Sequence, residues 1–461
     1  MIAKPIVMDV LAKAMSTGAD FAEVFAERTI HKNIAMVEGK VNEITDQQLS
    51  GVGIRIFQGL RCICTSTTDL SREGLLRAAD RAASALSGAP VGRPVQLRER
   101  IFGDIHPIRI VPSSVPNGDK IQLLKEACFT AKAYSTEIAQ VTGNFLDVDH
   151  NIMIANSDGL YTQDRQIRTR LTVNAIAYQN GENQSGSCSL GRRMGMETFQ
   201  DVITPQEIGQ KAAAQAVTML HAGYCPAGKM TVAIENGFGG VIFHEACGHS
   251  LEASSIALGQ SQFCGKLGQQ IANAKVTAID DGTIPNAWGS INIDDEGHPS
   301  QRNVLIENGI LKSYMIDKFN GRRMGMEATG NSRRQSYSFC PTSRMTNTMI
   351  LPGTDRNEDI ISSIEYGLYA KAMGGGSVNP VTGDFNFAVR EGYIVRNGKI
   401  CEPVRGASLI GKGSQILMDI DMVGTDLATG QGMCGAASGS IPTDVGQPLI
   451  RVSSITVGGR A

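Results

Sequence analysis

The chain has 461 residues, with 43 Lys and Arg against 45 Asp and Glu, which gives a formal net charge of −2. At about 150 residues per domain, this length allows two or three domains with a large hydrophobic core. Balanced charge excludes a strongly basic nucleic-acid-binding face. No uncharged apolar run approaches the roughly 18–20 residues that cross a bilayer. We therefore expect neither a nucleic acid nor a membrane as a partner.

The N-terminal sequence and the cysteines bear on the cellular compartment. The first 25 residues lack the apolar core of a signal peptide, because charged side chains are spread through them: Lys4, Asp9, Lys13, Asp20 and Glu23. We therefore expect a cytoplasmic protein whose ten cysteines are reduced thiols. The 52 glycines make up about 11% of the 461 residues, compared with ~7% in an average protein, and indicate many turns and close backbone approaches.

The first half of the chain mixes helices with short strands. Helical periodicity predicts helices over 1–29, 70–86, 119–134 and 204–220. Alternating apolar residues predict strands over 32–38, 40–45, 51–57, 61–65, 152–154 and 168–176, and small residues predict a loop over 185–195. A proline-rich stretch, about 88–116, is predicted to be a linker. These patterns indicate an N-terminal α+β domain with antiparallel strands over residues 1–222.

The second half has little helical periodicity. Short runs of Val, Ile and Leu predict strands over 230–234, 304–306, 310–316, 345–351, 385–395 and 450–457. The Asn-Gly pairs at 308–309 and 397–398 are typical of hairpin turns, because Asn and Gly tolerate a positive φ. We therefore expect a boundary near residue 222, followed by a mostly antiparallel β domain over residues 223–461. The predicted fold class of the whole chain is α+β.

One helical segment with two histidines interrupts the β-rich half. His244-Glu245 and His249 are similar to the His-Glu-x-x-His zinc peptidase signature, in which two imidazoles bind zinc and the glutamate is the general base. Here the histidines are one residue further apart. On a regular helix that spacing splays them by about 140°. A π-type turn, or a helix that ends at Gly248, brings both imidazoles to one ion.

The third metal ligand stays open at this point. A catalytic zinc site normally has three protein ligands and one position for water. The candidates are Cys247 and Glu252 nearby, and Cys434, His298 and the run Asp294-Asp295-Glu296 further along the chain. Cys247 lies between the two histidines and is expected to point elsewhere if both bind one ion. Spacing alone does not choose among the others.

The histidine segment and several further tracts together resemble the TldD/PmbA metallopeptidases. The resemblance extends over nearly the whole chain, at residues 51–55, 156–159, 244–252, 293–297, 329–335, 365–367, 374–376, 422–427, 432–435, 445–448 and 456–459. Collectively these tracts are highly specific, although no single glycine tract is. His298 stands where the family usually has a small residue, a departure that leaves the ligands unaffected.

The resemblance implies a site and an activity. His244, His249 and Cys434 would bind Zn²⁺, and Glu245 would be the general base that deprotonates a zinc-activated water. Members of the family degrade short or unstructured peptides inside a dimer, either a homodimer or a heterodimer of TldD with a PmbA (TldE) subunit, and they carry the older label of modulator of DNA gyrase. Because the four site residues are present, the chain resembles the catalytic TldD type.

Two further patterns concern substrate binding. Gly374, Gly375 and Gly376 are candidates for a free backbone edge to which a peptide adds as a strand, although a glycine turn is the better-supported interpretation. Arg333 and Arg334 are candidates for holding a substrate carboxylate, and a solvated or structural arginine pair is the favoured alternative.

Two other functions compete with a TldD-type peptidase. One is a dipeptidyl-peptidase III type zinc peptidase, which takes its third ligand from a downstream acidic helix motif; no Glu-Glu-x-x-Ala-Glu-like segment occurs in this sequence. The other is a non-catalytic scaffold or DNA gyrase-associated regulator whose histidines are structural. Stoichiometric zinc together with peptide cleavage separates the peptidase from the scaffold.

Overall fold

The computed structural model of the chain describes residues 2–90, 95–379 and 381–460. Its helices are α1 (Lys4–Ala14), α2 (Arg72–Ala83), α3 (Asn117–Ala133), α4 (Thr198–Asp201), α5 (Pro205–Leu220), α6 (Val241–Phe243), α7 (Ala253–Ile256), α8 (Lys318–Met324), α9 (Asn357–Ser362) and α10 (Gly413–Asp419). None of these helices is long and apolar enough to cross a membrane.

The strands fall into two series along the chain. The first series is β1 (Phe21–Val37), β2 (Lys40–Gln58), β3 (Arg61–Thr67), β4 (Arg98–Glu99), β5 (Ile138–Asn156), β6 (Leu160–Gln179) and β7 (Glu182–Arg192). The second series is β8 (Gly223–Tyr224), β9 (Gly228–Ile234), β10 (Ala278–Asp281), β11 (Arg302–Glu307), β12 (Ile310–Leu311), β13 (Ser332–Arg333), β14 (Thr342–Ser343), β15 (Asn347–Ile350), β16 (Tyr366–Val378), β17 (Asp384–Arg396), β18 (Lys399–Arg405), β19 (Ser408–Lys412), β20 (Ile420–Val423), β21 (Ala428–Ala436), β22 (Gly439–Gln447) and β23 (Ile450–Gly458).

The first series forms one long, mostly antiparallel sheet in the order β3-β2-β1-β5-β6-β4, with β7 paired to β6. Helices α1 and α2 bury Leu11 and Leu75 against one part of this sheet. Helices α3 and α5 bury Leu124 and Ile208 against another part. A capping box, in which Thr204 and Glu207 satisfy each other's backbone N–H, starts α5.

Two predictions for this region were wrong. The predicted helix over 1–29 ends at Ala14, and residues from Phe21 onward form β1; Met1 lies outside the described residues. The first seven residues of β1, Phe21–Glu27, are buried on both faces, and the apolar Phe21, Val24 and Phe25 among them also have helical spacing, so the pattern does not separate a strand from a helix. The predicted loop over 185–195 is mostly β7, where a Cβ on Gly186 would lie 2.2 Å from the Ala212 carbonyl oxygen of α5.

The second series forms two larger sheets and one small ribbon. One sheet has the order β12-β11-β10-β15-β22-β21, and the other has the order β16-β9-β23-β19-β17-β18-β8. An additional β16–β17 pairing closes part of the second sheet into a barrel. Most pairs are antiparallel, and the α+β prediction is confirmed. The predicted strand over 310–316 is reduced to Ile310–Leu311.

The division of the chain near residue 222 stays a proposal. That position lies between α5 and β8, and β8 pairs with β18 of the second series. Within the predicted linker of about 88–116, residues 91–94 lie outside the described residues. The remainder contains β4, which pairs with β6, and a short 3₁₀ turn at Pro112–Ser114.

Cysteine pairing differs from the sequence expectation. Cys64 on β3 and Cys340 form a disulfide with a Cα–Cα distance of 6.1 Å. The expectation of reduced thiols was therefore wrong for these two residues, because side chains 276 positions apart are brought together only by the packing of the two halves. The other eight cysteines form no disulfide in the described structure.

A buried network of charges joins the first sheet to the second half of the chain. Arg55 donates to Glu23 at 2.8 Å and to Glu296 at 2.6 Å, and Arg334 donates to Glu23 at 2.6 Å. Each of the four side chains is at most 4% exposed. Removing one partner from such a network leaves a buried charge without compensation, which is strongly destabilising.

We expect Glu23→Gln to lower the free energy of unfolding by about 3 kcal/mol, because it leaves Arg55 and Arg334 undercompensated. Chemical denaturation followed by far-UV circular dichroism measures the change. The matched control is Asp149→Asn, which breaks the more exposed pair with Arg165 and should cost less than about 1 kcal/mol. Equal losses in the two variants would show that the network does not stabilise the contact between the halves.

Candidate metal centre

The histidine segment follows strand β9 at the edge of the barrel. The chain passes through a 3₁₀ turn at Phe238–Gly240 and the short helix α6 before it reaches His244. Gly240 permits this path, because a Cβ there would lie 2.5 Å from the backbone nitrogen of Gly446 on β22. The segment therefore packs directly against the β21–β22 hairpin.

The five residues His244–Gly248 form a π-turn, and a 3₁₀ turn at His249–Leu251 follows. The predicted π-type distortion is thus confirmed. The wider turn offsets the extra residue between the histidines, so that their ring centroids lie 5.3 Å apart with an interplanar angle of 83°. Both Nε2 atoms face the same sulfur: Cys434 Sγ lies 3.2 Å from that of His244 and 3.3 Å from that of His249.

Cys434 lies in the middle of strand β21, opposite Ile441 of β22. Its side chain is buried, which by itself disfavours the thiolate. The charges and hydrogen bonds of His244 and His249 outweigh burial and lower the pKa of the thiol to about 4. Arg344 stabilises the backbone of β21 at this position, because its Nη2 donates to the Cys434 carbonyl oxygen at 2.5 Å.

Glu252 orients a histidine and does not join the donor cluster. Its Oε2 accepts a hydrogen bond from His249 Nδ1 at 3.2 Å, and its Oε1 lies 3.8 Å from Arg344 Nε. Burial lowers the pKa of His249, but the charges and hydrogen bonds of Glu252 and Cys434 together outweigh it and hold that pKa well above the ordinary value. A carboxylate on Nδ1 is a common way to direct the Nε2 of a histidine toward a metal.

The other third-ligand candidates lie away from the cluster. Cys247 is buried, and its thiol points to the Gly413 carbonyl oxygen, in agreement with the expectation that it points elsewhere. His298 Nδ1 contacts the Pro299 carbonyl oxygen at 3.1 Å. Residues 294–296 are engaged elsewhere. Asp294 accepts from the backbone N–H of Ser332 and Asp295 from that of Arg334, whereas Glu296 accepts from Arg55 of the first half.

Glu245 lies beside the cluster and reaches solvent. Its side chain is 28% exposed, and its Oε2 lies 3.7 Å from His249 Nε2. A carboxylate in this position can accept a proton from a water molecule placed among the three donor atoms.

The donor set fits a zinc ion. The ligand atoms of His244, His249 and Cys434 all lie within 4.8 Å of one another. Zinc bonds of ~2.0–2.3 Å in a tetrahedral shell place ligand atoms about 3.3–3.6 Å apart. The sulfur–nitrogen distances of 3.2 and 3.3 Å are close to that range. Two imidazoles and one thiolate leave one position for water, as catalytic zinc sites do.

The predicted substrate residues lie in different surroundings. Gly374, Gly375 and Gly376 belong to strand β16 and not to a turn, and they face β17 on one side. On the other side β9 pairs only with Gly367–Ala370, so within the described ranges the three glycines have no strand neighbour there. Strand β16 also packs against the π-turn.

The two predicted substrate arginines differ from each other. Arg334 is committed to Glu23 and to the Asp295 carbonyl oxygen. Arg333 is buried and donates only through Nη1, to the carbonyl oxygens of Met345 and Pro442 at 2.8 Å each. Its Nε and Nη2 have no hydrogen-bond partner in the described part of the chain.

Sequence reasoning missed Arg344 and the orienting role of Glu252. Arg344 has no recognisable motif, because its function depends on the hairpin that it contacts 90 residues later in the chain. Glu252 was a candidate only as a ligand. Its position three residues after His249 suits a contact to Nδ1 as well as one to a metal, and spacing does not separate the two.

Family models cover almost the whole chain. They are the PmbA/TldA metallopeptidase domain 1 over residues 22–86, the central domain over 110–220 and the C-terminal domain over 227–459. A metalloprotease TldD homologue of Haemophilus influenzae is 36% identical, covering 95% of this chain and 93% of its own length. A zinc metalloprotease TldD homologue of Saccharolobus solfataricus is 29% identical, covering 65% and 68%.

Solved structures share the fold. A Thermotoga maritima protein named as a candidate modulator of a DNA gyrase superposes with a TM-score of 0.79 at 22% identity, covering 99% of this chain and 100% of its own. TldE of Thermococcus kodakarensis superposes with a TM-score of 0.74 at 18% identity, covering 96% and 97%.

The site and the comparisons agree on a class of protein, the metallopeptidases. The chain belongs to the PmbA/TldD metallopeptidase family, and relatives such as the Haemophilus influenzae protein are named as TldD homologues.

Proposed function

We propose that this chain is a zinc-dependent peptidase that hydrolyses short or unstructured peptides. The observation that carries the proposal is the convergence of His244, His249 and Cys434 on one point, with Glu245 beside them and open to solvent. The name of the Saccharolobus solfataricus relative supports zinc as the metal.

In this mechanism each side chain has one task. Zinc, when bound, polarises a peptide carbonyl and lowers the pKa of a water molecule. Glu245 accepts the proton of the attacking water and then delivers it to the leaving amine. His244 and His249 present Nε2 to the ion, and Glu252 holds the tautomer of His249 by accepting its Nδ1–H. Cys434 contributes a thiolate.

The substrate is proposed to bind as an added strand. Main-chain pairing along the free side of Gly374, Gly375 and Gly376 reads little sequence, which suits broad specificity for unstructured peptides. The active assembly is proposed to be a dimer, either with a second copy or with a TldE-like subunit. The shared fold with a TldE protein supports the second option.

Chelation tests the proposal directly. We expect the purified protein to contain zinc and to cleave an unstructured peptide, to lose cleavage with a chelator, and to regain it when zinc is restored. Metal analysis of the same sample, and mass spectrometry of the products, measure both properties. A tightly folded protein serves as a control substrate and should stay intact.

The negative outcomes are also informative. Cleavage that is unaffected by metal removal would contradict a metal-dependent mechanism. Stoichiometric zinc without cleavage of any unstructured peptide would contradict the peptidase and favour a structural role for the histidines.

A further inference from the structure

A cavity of about 420 Å³ lies between the first sheet and the second half of the chain. Its walls come from β1, β2, β5 and β6 on one side, and from the β21–β22 hairpin and residues 333–336 on the other. The volume falls within the roughly 300–1,000 Å³ that is usual for ligand pockets.

The cavity adjoins the candidate metal centre through the hairpin. Met433, which precedes Cys434 on β21, and Ile441, which pairs with Cys434, both line it. Arg333 also lines it. The cavity therefore borders the hairpin that carries Cys434.

Three arginines that line the cavity have no carboxylate partner. Arg168 uses its guanidinium for neutral acceptors: the carbonyl oxygens of Trp288 and Ser290 and the side-chain oxygen of Gln166. Arg333 donates only to two carbonyl oxygens. Arg170 donates to a serine hydroxyl and lies over the Trp288 ring at 5.6 Å. Within residues 2–90, 95–379 and 381–460, no ion pair joins any of the three to an acid.

Within the described residues the two acids of the cavity wall form no ion pair with these arginines, although the charge of Asp295 acts on both Arg168 and Arg333. Glu27 accepts from the Thr29 hydroxyl at 2.6 Å and from the Tyr337 backbone N–H at 2.7 Å. Asp295 accepts from the Arg334 backbone N–H at 2.6 Å. Burial raises the pKa of both carboxyl groups. Buried guanidinium groups without a counter-charge are costly unless an anion joins them.

Arg168 and Arg333 line the same cavity, and each is 4% exposed. Burial, then the charges of Arg193 and Arg333, lower the pKa of Arg168. Two guanidinium groups with free N–H donors match the planar, bidentate geometry of a carboxylate. Apolar side chains such as Leu146 and Val148 complete the wall and suit the side chain of a neighbouring residue.

We propose that this cavity is a carboxylate-binding subsite for the peptide, in which Arg168 and Arg333 hold the carboxylate and Arg170 supports them. The inference rests on the proposed peptidase function and deepens it, since it adds a substrate class. The carboxylate comes either from the C-terminus of the peptide or from an acidic side chain. In both cases the anchored group sets which peptide bond lies at the metal centre.

Binding of matched peptides tests the proposal without turnover. The protein is the Glu245→Gln variant loaded with zinc, and affinity is measured by fluorescence anisotropy. Four labelled peptides share one sequence: a free acid without acidic side chains, its C-terminal amide, the amide with one Glu, and the amide with Gln at that position. We expect about tenfold tighter binding of the free acid over its amide, of the Glu peptide over the Gln peptide, or of both. The pair that differs identifies the source.

Arginine variants show whether the cavity is responsible. We expect Arg168→Gln and Arg170→Gln to abolish the preference, and Arg168→Lys to retain part of it. The matched control is Arg165→Gln, on the same strand but ion-paired to Asp149 outside the cavity, which should keep the full preference. If Arg168→Gln does not fold, Arg170→Gln still decides, because Arg170 makes a single side-chain hydrogen bond.

Two outcomes of the binding experiment overturn the subsite. Equal affinity for the acidic and neutral peptides excludes it. A preference that persists in both glutamine variants also excludes it. The failure of the subsite can be told apart from the failure of the peptidase proposal. If the wild-type protein cleaves all four peptides at equal kcat/KM, the subsite alone is refuted. If binding depends on the carboxylate but the wild-type protein cleaves none of the peptides, the peptidase alone is refuted.

Discussion

Glu245→Gln should retain zinc and lose about 10³-fold in kcat/KM for an unstructured peptide. Glutamine keeps the size of the side chain but accepts no proton, and general-base catalysis typically contributes 10²–10⁴-fold. The carboxylate is not part of the donor cluster of two imidazoles and one thiolate, so the affinity for metal should change little. Initial rates with a quenched fluorescent peptide, together with the zinc content of the same protein, measure both effects.

Two comparisons make this experiment specific. Glu43→Gln, at an exposed position on β2, should leave both rate and zinc unchanged. Glu252→Gln should instead weaken metal binding by about 10–100-fold, because the partner of His249 Nδ1 is altered. Cleavage by Glu245→Gln at the wild-type rate would rule out Glu245 as the base.

The sequence predicted the local geometry of the site better than its surroundings. If His244 and His249 bind one ion, their spacing requires a distorted turn. This requirement involves only the six residues 244–249. Local constraints of this kind depend on helix geometry alone. For the same reason the hairpin turns and the capping box at Thr204 follow from short-range chemistry.

Other features depend on contacts between distant segments, which one sequence does not reveal. The partners of Glu23 are Arg55 and Arg334, and the nearer of the two is 32 residues away. The first seven residues of β1 resembled a helix because they are covered on both faces, and the disulfide between Cys64 and Cys340 depends on the docking of the two halves. Family resemblance, not spacing, selected Cys434 among the third-ligand candidates.

Cys434→Ser should weaken zinc binding by more than the ~10–100-fold that is typical when a residue hydrogen-bonded to a metal ligand is substituted. The rate of peptide cleavage should fall in proportion to the zinc occupancy. Serine preserves the shape of the side chain, but its hydroxyl does not ionise near neutral pH, whereas the two histidines lower the pKa of the Cys434 thiol to about 4. Competition with a chromophoric chelator measures the affinity. Cobalt substitution adds an independent readout, since a thiolate ligand gives a charge-transfer band that the serine variant should lack.

Cys247→Ser is the matched control for this experiment. Cys247 lies in the same π-turn and is fully buried, but its thiol faces the Gly413 carbonyl oxygen and not the cluster. We therefore expect unchanged zinc affinity and an intact cobalt–thiolate band, even if the variant is less stable. Unchanged affinity in Cys434→Ser, combined with a larger loss in Glu252→Gln, would transfer the third-ligand role to Glu252. A larger loss in Cys434→Ser than in Glu252→Gln, with none in Cys247→Ser, would establish a His-His-Cys centre, in which a soft thiolate from a distant hairpin completes a site that the π-turn alone leaves with two ligands.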